Sequence, residues 1–211
     1  GADSNVYFPY FEQSKRLPEL RPEIMDLIYG EEGENAREKL QDQDKPLILT
    51  MARMDKVKNL VGLARWYAEN SELQEKANLL VIGGYIQPEK SRDAEEQGCI
   101  HDMHHLLDAY DLKDKMRWVG LRLEKNLSGE LYRFVADSKG IFVQPALFEA
   151  FGLTVVEAMS SGLPVFATIF GGPLEIIEDN ISGFHINPNK GEESSARMAE
   201  FFQRCAGDHS Y

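Results

Sequence analysis

The sequence predicts a parallel α/β sheet with helices on both of its faces, on three observations. Short apolar runs recur along the chain, continuous rather than alternating, as in strands buried on both sides. Helix-length segments separate them, which implies right-handed crossovers between parallel neighbours. The side chains able to do chemistry fall mainly just after these runs, where the carboxyl ends of parallel strands open to ligands. A length of 211 residues suits one large α/β domain or two small ones.

Residues 1–20 mix polar and aromatic groups with Pro9 and Pro18 and read as a packed linker, with residues 5–9 laying aromatic rings on a domain surface. A short helix is expected over 22–29, with proline in its first turn and Gly30 beyond its end. The charged run 31–45 is expected to be a surface helix followed by a loop. Residues 1–45 are thus expected to be a linker and surface helices packed on a Rossmann-like domain spanning 46–211. Within it, strands are expected at 47–51, 79–83, 116–120, 141–143, 165–168 and 183–186. Helices are expected from 60 to 67, from about 95 to 110, and over 129–136, 154–160, 173–178 and 193–205. The helix at 154–160 is apolar nearly all round, so it is expected to be buried. The ligand-facing loops would be 52–59, 83–87, 121–128, 145–153 and 169–173. No internal repeat is present.

Composition narrows the partners. A net charge of −12 and a pI near 4.9 argue against nucleic acid or an acidic membrane surface, so an anionic ligand would need a local cationic pocket. The longest apolar runs are strand-length, with no signal peptide or membrane span. Cys99 and Cys205 lack metal or redox spacing and read as free thiols of a reducing, cytoplasmic compartment, although the sequence leaves a single disulfide open. The chain starts at Gly1 without a methionine and is expected to be a fragment of something longer.

The residues that could carry chemistry cluster in two places. Arg53 and Lys58 follow the first strand, where a guanidinium fork and a mobile ammonium could hold phosphate oxygens. After the fourth, Glu149 lies in a loop and Glu157 inside a helix, with Phe151-Gly152 between them. A glycine there lets a ligand approach the backbone, and the N–H groups of a helix start favour an anion. A carboxylate among apolar neighbours needs donors, and the paired hydroxyls of a ribose would supply them; a core arginine or backbone groups would serve equally. Gly171-Gly172-Pro173 reads first as a tight turn before a helix. Gly83-Gly84 alone is a weak dinucleotide signal without Gly-x-Gly-x-x-Gly. His101, His104 and His105 lack any accompanying metal-ligand pattern and read as one face of a helix.

Two acids separated by seven residues, with Phe151-Gly152-Leu153 after the first, resemble the donor-site motif of retaining glycosyltransferases with the GT-B fold. The match is closer still to the sucrose synthase family, carried by Phe8-Pro9-Tyr10, Met51-Ala-Arg53-Met-Asp55-Lys-Val-Lys58-Asn59, Gly129-Glu-Leu-Tyr-Arg133, Phe142-Val-Gln-Pro145, residues 149–159 and Ser182-Gly-Phe-His-Ile186. The resemblance covers nearly the whole chain. It implies the C-terminal, nucleotide-binding half of a GT-B fold and the reaction sucrose + NDP = NDP-glucose + fructose, with retention. By the same resemblance Glu149, Arg53 and Lys58 are the catalytic residues: Arg53 and Lys58 bind the diphosphate and stabilise its departure, Glu149 and the backbone of Phe151, Gly152 and Leu153 contact the glucose, and Thr154 lies beside the phosphate.

Where plant members carry a glutamine and an asparagine that read uracil, this chain has Arg122 and Ser128, so ADP is expected to be accepted, and preferred over UDP. No cofactor or metal is expected beyond the nucleotide or nucleotide-sugar substrate. The expected partners are these small molecules and an N-terminal GT-B domain, in a full-length enzyme that is a homo-oligomer; without that domain the fragment is expected to be inactive. A related GT-B enzyme of the sucrose-phosphate or glycogen synthase type, or a non-catalytic nucleotide-binding module, remains an alternative.

Overall fold

A computed structural model describes residues 2–207. In chain order they form α1 (Arg21–Tyr29), β1 (Ala36–Arg37), β2 (Leu47–Met51), α2 (Leu60–Ala68), α3 (Ser71–Lys76), β3 (Asn78–Ile82) and α4 (Ala94–Ala109). There follow β4 (Met116–Val119), α5 (Lys125–Asp137), β5 (Ile141–Gln144), α6 (Leu153–Ser160), β6 (Val165–Thr168), α7 (Pro173–Ile176), β7 (Phe184–Ile186) and α8 (Gly191–Gly207). Among the described residues the strands make one seven-stranded sheet in the order β1-β4-β3-β2-β5-β6-β7. Every neighbouring pair is parallel except β1, which runs antiparallel to β4.

This order positions the site. From β2 the chain winds outward through β3 and β4, then returns to lay β5 against the other side of β2. The helices that follow β2 and β5, α2 and α6, therefore pack on opposite faces, and such a switch point opens a crevice at the carboxyl edge.

Two hydrophobic cores flank the sheet, and the two-residue period of the strands divides side chains between them. Ile48, Leu79 and Val81 face the core closed by α2, α4 and α8. Leu47, Leu49, Leu80 and Ile82 face the one closed by α1, α5 and α6. Trp118 is fully buried and its indole N–H donates to the Gly83 carbonyl at 2.9 Å, which satisfies its one polar atom.

The strands lie where the apolar runs place them, but several expectations need correction. Residues 31–45 contain no α-helix: residues 36 and 37 form β1, paired with Trp118 and Val119, and Leu40 is buried. The buried Arg117 guanidinium fixes that segment by donating to the carbonyls of Leu27, Gly30 and Glu38. The helix expected at 129–136 begins at Lys125, because the Glu124 side chain accepts from the backbone N–H groups of Asn126 and Leu127. Ser128 is consequently a helical residue, not a loop one. The helix at 60–67 is followed by a separate α3, capped by Asn70. The α6 helix is not buried all round: Val155 and Ala158 are, whereas Leu153 is 52% exposed. The remaining residues of the expected span, Thr154, Val156, Glu157, Met159 and Ser160, are half-buried.

Residues 2–20 hold to the domain through rings, as expected for 5–9, with Val6, Tyr7 and Phe8 buried. No helix among the described residues is long and apolar enough to cross a membrane.

Candidate functional site

The loop after β2 and the loop after β5 are zipped together at the switch point. Leu147 N–H donates to the Val57 carbonyl at 2.8 Å, and the Asn59 side-chain amide donates to the Pro145 carbonyl at 3.0 Å. Asn59 takes a left-handed conformation (φ 61°) that asparagine tolerates better than most residues, and α2 starts directly after it. Asp55 Oδ1 accepts from the Lys58 N–H at 2.8 Å, turning the loop back towards the sheet.

This geometry brings Lys58 and Glu149 together. Lys58 Nζ lies 2.5 Å from Glu149 Oε2, and the Gln144 side-chain amide donates to the same oxygen at 2.9 Å. Glu149 Oε1 accepts from the Gly152 N–H at 3.2 Å. Burial pushes the Glu149 carboxyl up, but the Lys58 ammonium and the N–H groups of Gly152 and Phe151 outweigh it and leave it below the usual carboxylate range. Glu149 is thus a fixed anion with donors on both oxygens.

The backbone of Glu149 is held equally firmly. Its N–H donates to the Phe170 carbonyl at 3.0 Å, and its carbonyl accepts from the Gly172 N–H at 2.7 Å. Gly171 sits at φ 109°, and a Cβ there would collide with the Glu149 carbonyl oxygen. The Gly171-Gly172 turn is therefore part of the support for the site. Gly152, at φ 70°, precedes α6, and no side chain caps the first turn of that helix. Its leading N–H groups are the anion-favouring end of the helix dipole. Phe151 is 84% exposed at the rim, and Thr154 is half-buried.

Glu157 belongs to a second cluster. Tyr132 on α5 donates to Glu157 Oε2 at 3.5 Å, the Tyr7 hydroxyl faces the same carboxylate, and Lys125 supplies the nearby positive charge. Burial dominates and raises the Glu157 carboxyl above its ordinary value despite these three groups. Ser128 joins the cluster through Tyr7, whose hydroxyl lies 3.3 Å from Ser128 Oγ.

Arg53 and Arg122 stand apart. The Arg53 side chain is 78% exposed and reaches Asp55 Oδ2 at 3.5 Å; Arg122 is exposed in the segment after β4. Three contributors lay outside the sequence-based set. Gln144 falls between the expected strand 141–143 and the loop 145–153, and a polar residue ending an otherwise apolar run is the signal that marks it. Tyr132 and Tyr7 carry no local signal, since each becomes a partner of Glu157 only through tertiary packing. Among the described residues no cluster of His, Cys, Asp and Glu could hold a metal ion, and His104 instead contacts the Ile86 carbonyl and Arg37.

Comparison with known proteins gives this geometry relatives. The family model for glycosyl transferases group 1 matches residues 31–204. A sucrose synthase of Nitrosomonas europaea is 56% identical over 97% of the chain, which covers 26% of that protein. The chain spans about a quarter of the length of the first curated relatives it matches. Among solved structures, sucrose-phosphate synthase from Thermosynechococcus elongatus superposes with a TM-score of 0.68 at 22% identity, over 99% of this chain and 42% of that one. Anabaena HepE, solved in complex with UDP and glucose, gives 0.61 at 20% identity over 79% of this chain and 40% of that one. At these identities the likeness is one of fold: the Rossmann-like half of a GT-B architecture.

Proposed function

The chain belongs to the group 1 glycosyl transferases, and on that premise we propose that it is the donor-nucleotide-binding domain of a cytoplasmic sucrose synthase. Its reaction would be sucrose + NDP = NDP-glucose + fructose, reversible and with retention at the glucose. The observation that carries this reading is the Lys58–Glu149 pair, 2.5 Å apart at the sheet's switch point, beside the uncapped start of α6.

Arg53 and Lys58 would hold the diphosphate, and the N–H groups opening α6 would share its charge with Thr154 nearby. Charge develops on that diphosphate as the glucosyl bond breaks, so donors fixed beforehand lower the barrier without reorganising. Glu149, with the backbone of Phe151, Gly152 and Leu153, would orient the sugar hydroxyls. Glu157, a carboxylate poor in donors for its burial, would accept the two ribose hydroxyls. Arg122 would stack on the base and Ser128 would border it; neither is an amide, and the Ser128 hydroxyl already donates to the Lys125 carbonyl, which favours ADP over UDP. The acceptor half of the cleft belongs to a further domain, so the chain alone would bind nucleotide without transferring glucose.

The test is glucosyl transfer by the full-length enzyme carrying Glu149→Ala or Lys58→Ala. The expected result is a fall of roughly a hundredfold or more in kcat, the scale for losing one preorganised electrostatic partner. Unchanged turnover in both variants would remove these residues from the reaction, and UDP bound as tightly as ADP would remove the base preference.

A further inference from the structure

Gln144 ends β5 after three apolar residues, and it is 5% exposed. A side-chain amide at that depth is costly unless both of its ends are bonded. Here both are. The Ala146 N–H donates to Gln144 Oε1 at 3.3 Å, and Gln144 Nε2 donates to Glu149 Oε2 at 2.9 Å. Chemistry settles which end faces which partner: a backbone N–H can only donate and a charged carboxylate can only accept, so the amide has one orientation. Gln144 pairs with Ala167 of β6, so the donor aimed at Glu149 sits on the frame of the sheet rather than on a loop.

An ionised carboxylate offers about four lone-pair sites. Glu149 Oε1 accepts from the Gly152 N–H, and Oε2 accepts from both Lys58 and Gln144. The two donors on Oε2 are unlike. Lys58 carries its charge on a flexible stem from a loop, and its side chain is 21% exposed, so the ammonium is able to turn to a phosphate. Gln144 is buried, with its amide committed to Ala146 and Glu149.

We propose that Gln144 is a positioning residue for the transfer: its amide keeps Glu149 Oε2 fixed to the end of β5 as Lys58 turns to the diphosphate, leaving the lone pair vacated by the ammonium for a glucosyl hydroxyl. This rests on the assignments of Glu149 to the sugar and Lys58 to the diphosphate made above.

The test is a cycle of substitutions in the full-length enzyme, Gln144→Met with and without Glu149→Ala, read as kcat and as KM for ADP in sucrose cleavage. Gln144→Met keeps the reach of the side chain and removes the amide. It should lower kcat about ten- to a hundredfold, the scale of one hydrogen bond to a charged group. It should leave KM for ADP unchanged and cost nothing further once Glu149 is alanine. Unchanged kcat, a loss confined to KM, or the same fold loss in both backgrounds would overturn the proposal. Glu149→Ala separates the two claims. Full turnover in that variant removes Glu149 from the reaction and the positioning role with it; a loss there beside an unaffected Gln144→Met removes only the role of Gln144.

Gln144→Met also leaves the Ala146 N–H without its acceptor, so a second measurement uses the unsubstituted chain. Followed by nitrogen-15 NMR, the Gln144 side-chain amide should shift as Glu149 takes up its proton, with the midpoint that carbon-13 NMR gives for the Glu149 carboxyl. An amide signal indifferent to that titration would overturn the proposal whatever the variant does.

Discussion

At the scale of single residues, the site turns on how two carboxylates only eight positions apart are treated. Glu149 has an ammonium, an amide and backbone N–H groups, and its carboxyl is lowered. Glu157 has two phenols and a more distant lysine, and burial raises it. Linkage gives the two opposite signs. The lowered Glu149 contributes stability that is present above the ordinary carboxylate pKa and lost as pH falls through its folded value. The raised Glu157 contributes stability that is present below its unfolded pKa and lost as pH rises through its folded one. Lys58→Met removes the largest side-chain group opposing burial at Glu149, so the Glu149 midpoint should rise when followed by carbon-13 NMR. Stability measured by urea unfolding should then lose less on acidification than in the parent. A Glu149 midpoint indifferent to Lys58 would contradict the pairing. Sequence could single out both acids and Lys58, because strand–loop–helix periodicity places them. It could not show their contacts: Gln144 and Tyr132 lie on neighbouring elements, and Tyr7 lies on an N-terminal segment seated by tertiary contacts such as the Arg133 bond to the Val6 carbonyl.

At the scale of elements, the turn 169–173 works as a buttress. Its glycines let the backbone close on Glu149, and Gly171 also needs a positive φ that a side chain resists. Gly171→Ala should therefore cost on the order of 1–3 kcal/mol of backbone strain, besides the clash with the Glu149 carbonyl. Gly33→Ala, where a Cβ would meet nothing within 4 Å, is the matched control and should leave the melting temperature nearly unchanged. Equal melting of the two variants would contradict the buttress. The buried strands were legible because a parallel sheet covered on both faces demands continuous apolar runs, and 47–51 and 165–168 coincide with them. The failures have equally physical causes. A two-residue edge strand such as β1 is too short for any periodicity and exists only through its partner. The α5 start was missed because glutamate is not a favoured capping residue. Apolar content made α6 look enclosed, since composition does not reveal that most of its side chains are covered only in part.

At the scale of the molecule, residues 2–20 are joined to the sheet by a buried charge network. Glu130 accepts from Arg133 at 2.8 Å, from Arg16 at 3.0 Å and from the Leu17 N–H at 3.0 Å. Burial opposes its charge, but the Leu17 N–H and the two guanidinium groups outweigh it and hold the carboxyl below the ordinary range. Glu130→Gln would strand the buried Arg133, and breaking such a pair costs roughly 3–5 kcal/mol. Urea unfolding should show that loss at neutral pH and a smaller one in acid, where Glu130 is itself protonated. A loss that does not shrink on acidification would contradict the charge pairing. Arg133 also donates to the Val6 carbonyl beside Tyr7, so this network and the Glu157 cluster hold the same N-terminal segment.

The central claim, that a nucleoside diphosphate binds between the loops after β2 and β5, is tested most directly by calorimetric titration of the chain with ADP, repeated on Arg53→Ala and Lys58→Ala. Saturable binding weakened about tenfold or more in each variant is the predicted result, on the scale of a charge-assisted hydrogen bond. ADP binding of unchanged affinity in both variants would place the diphosphate elsewhere and contradict the site.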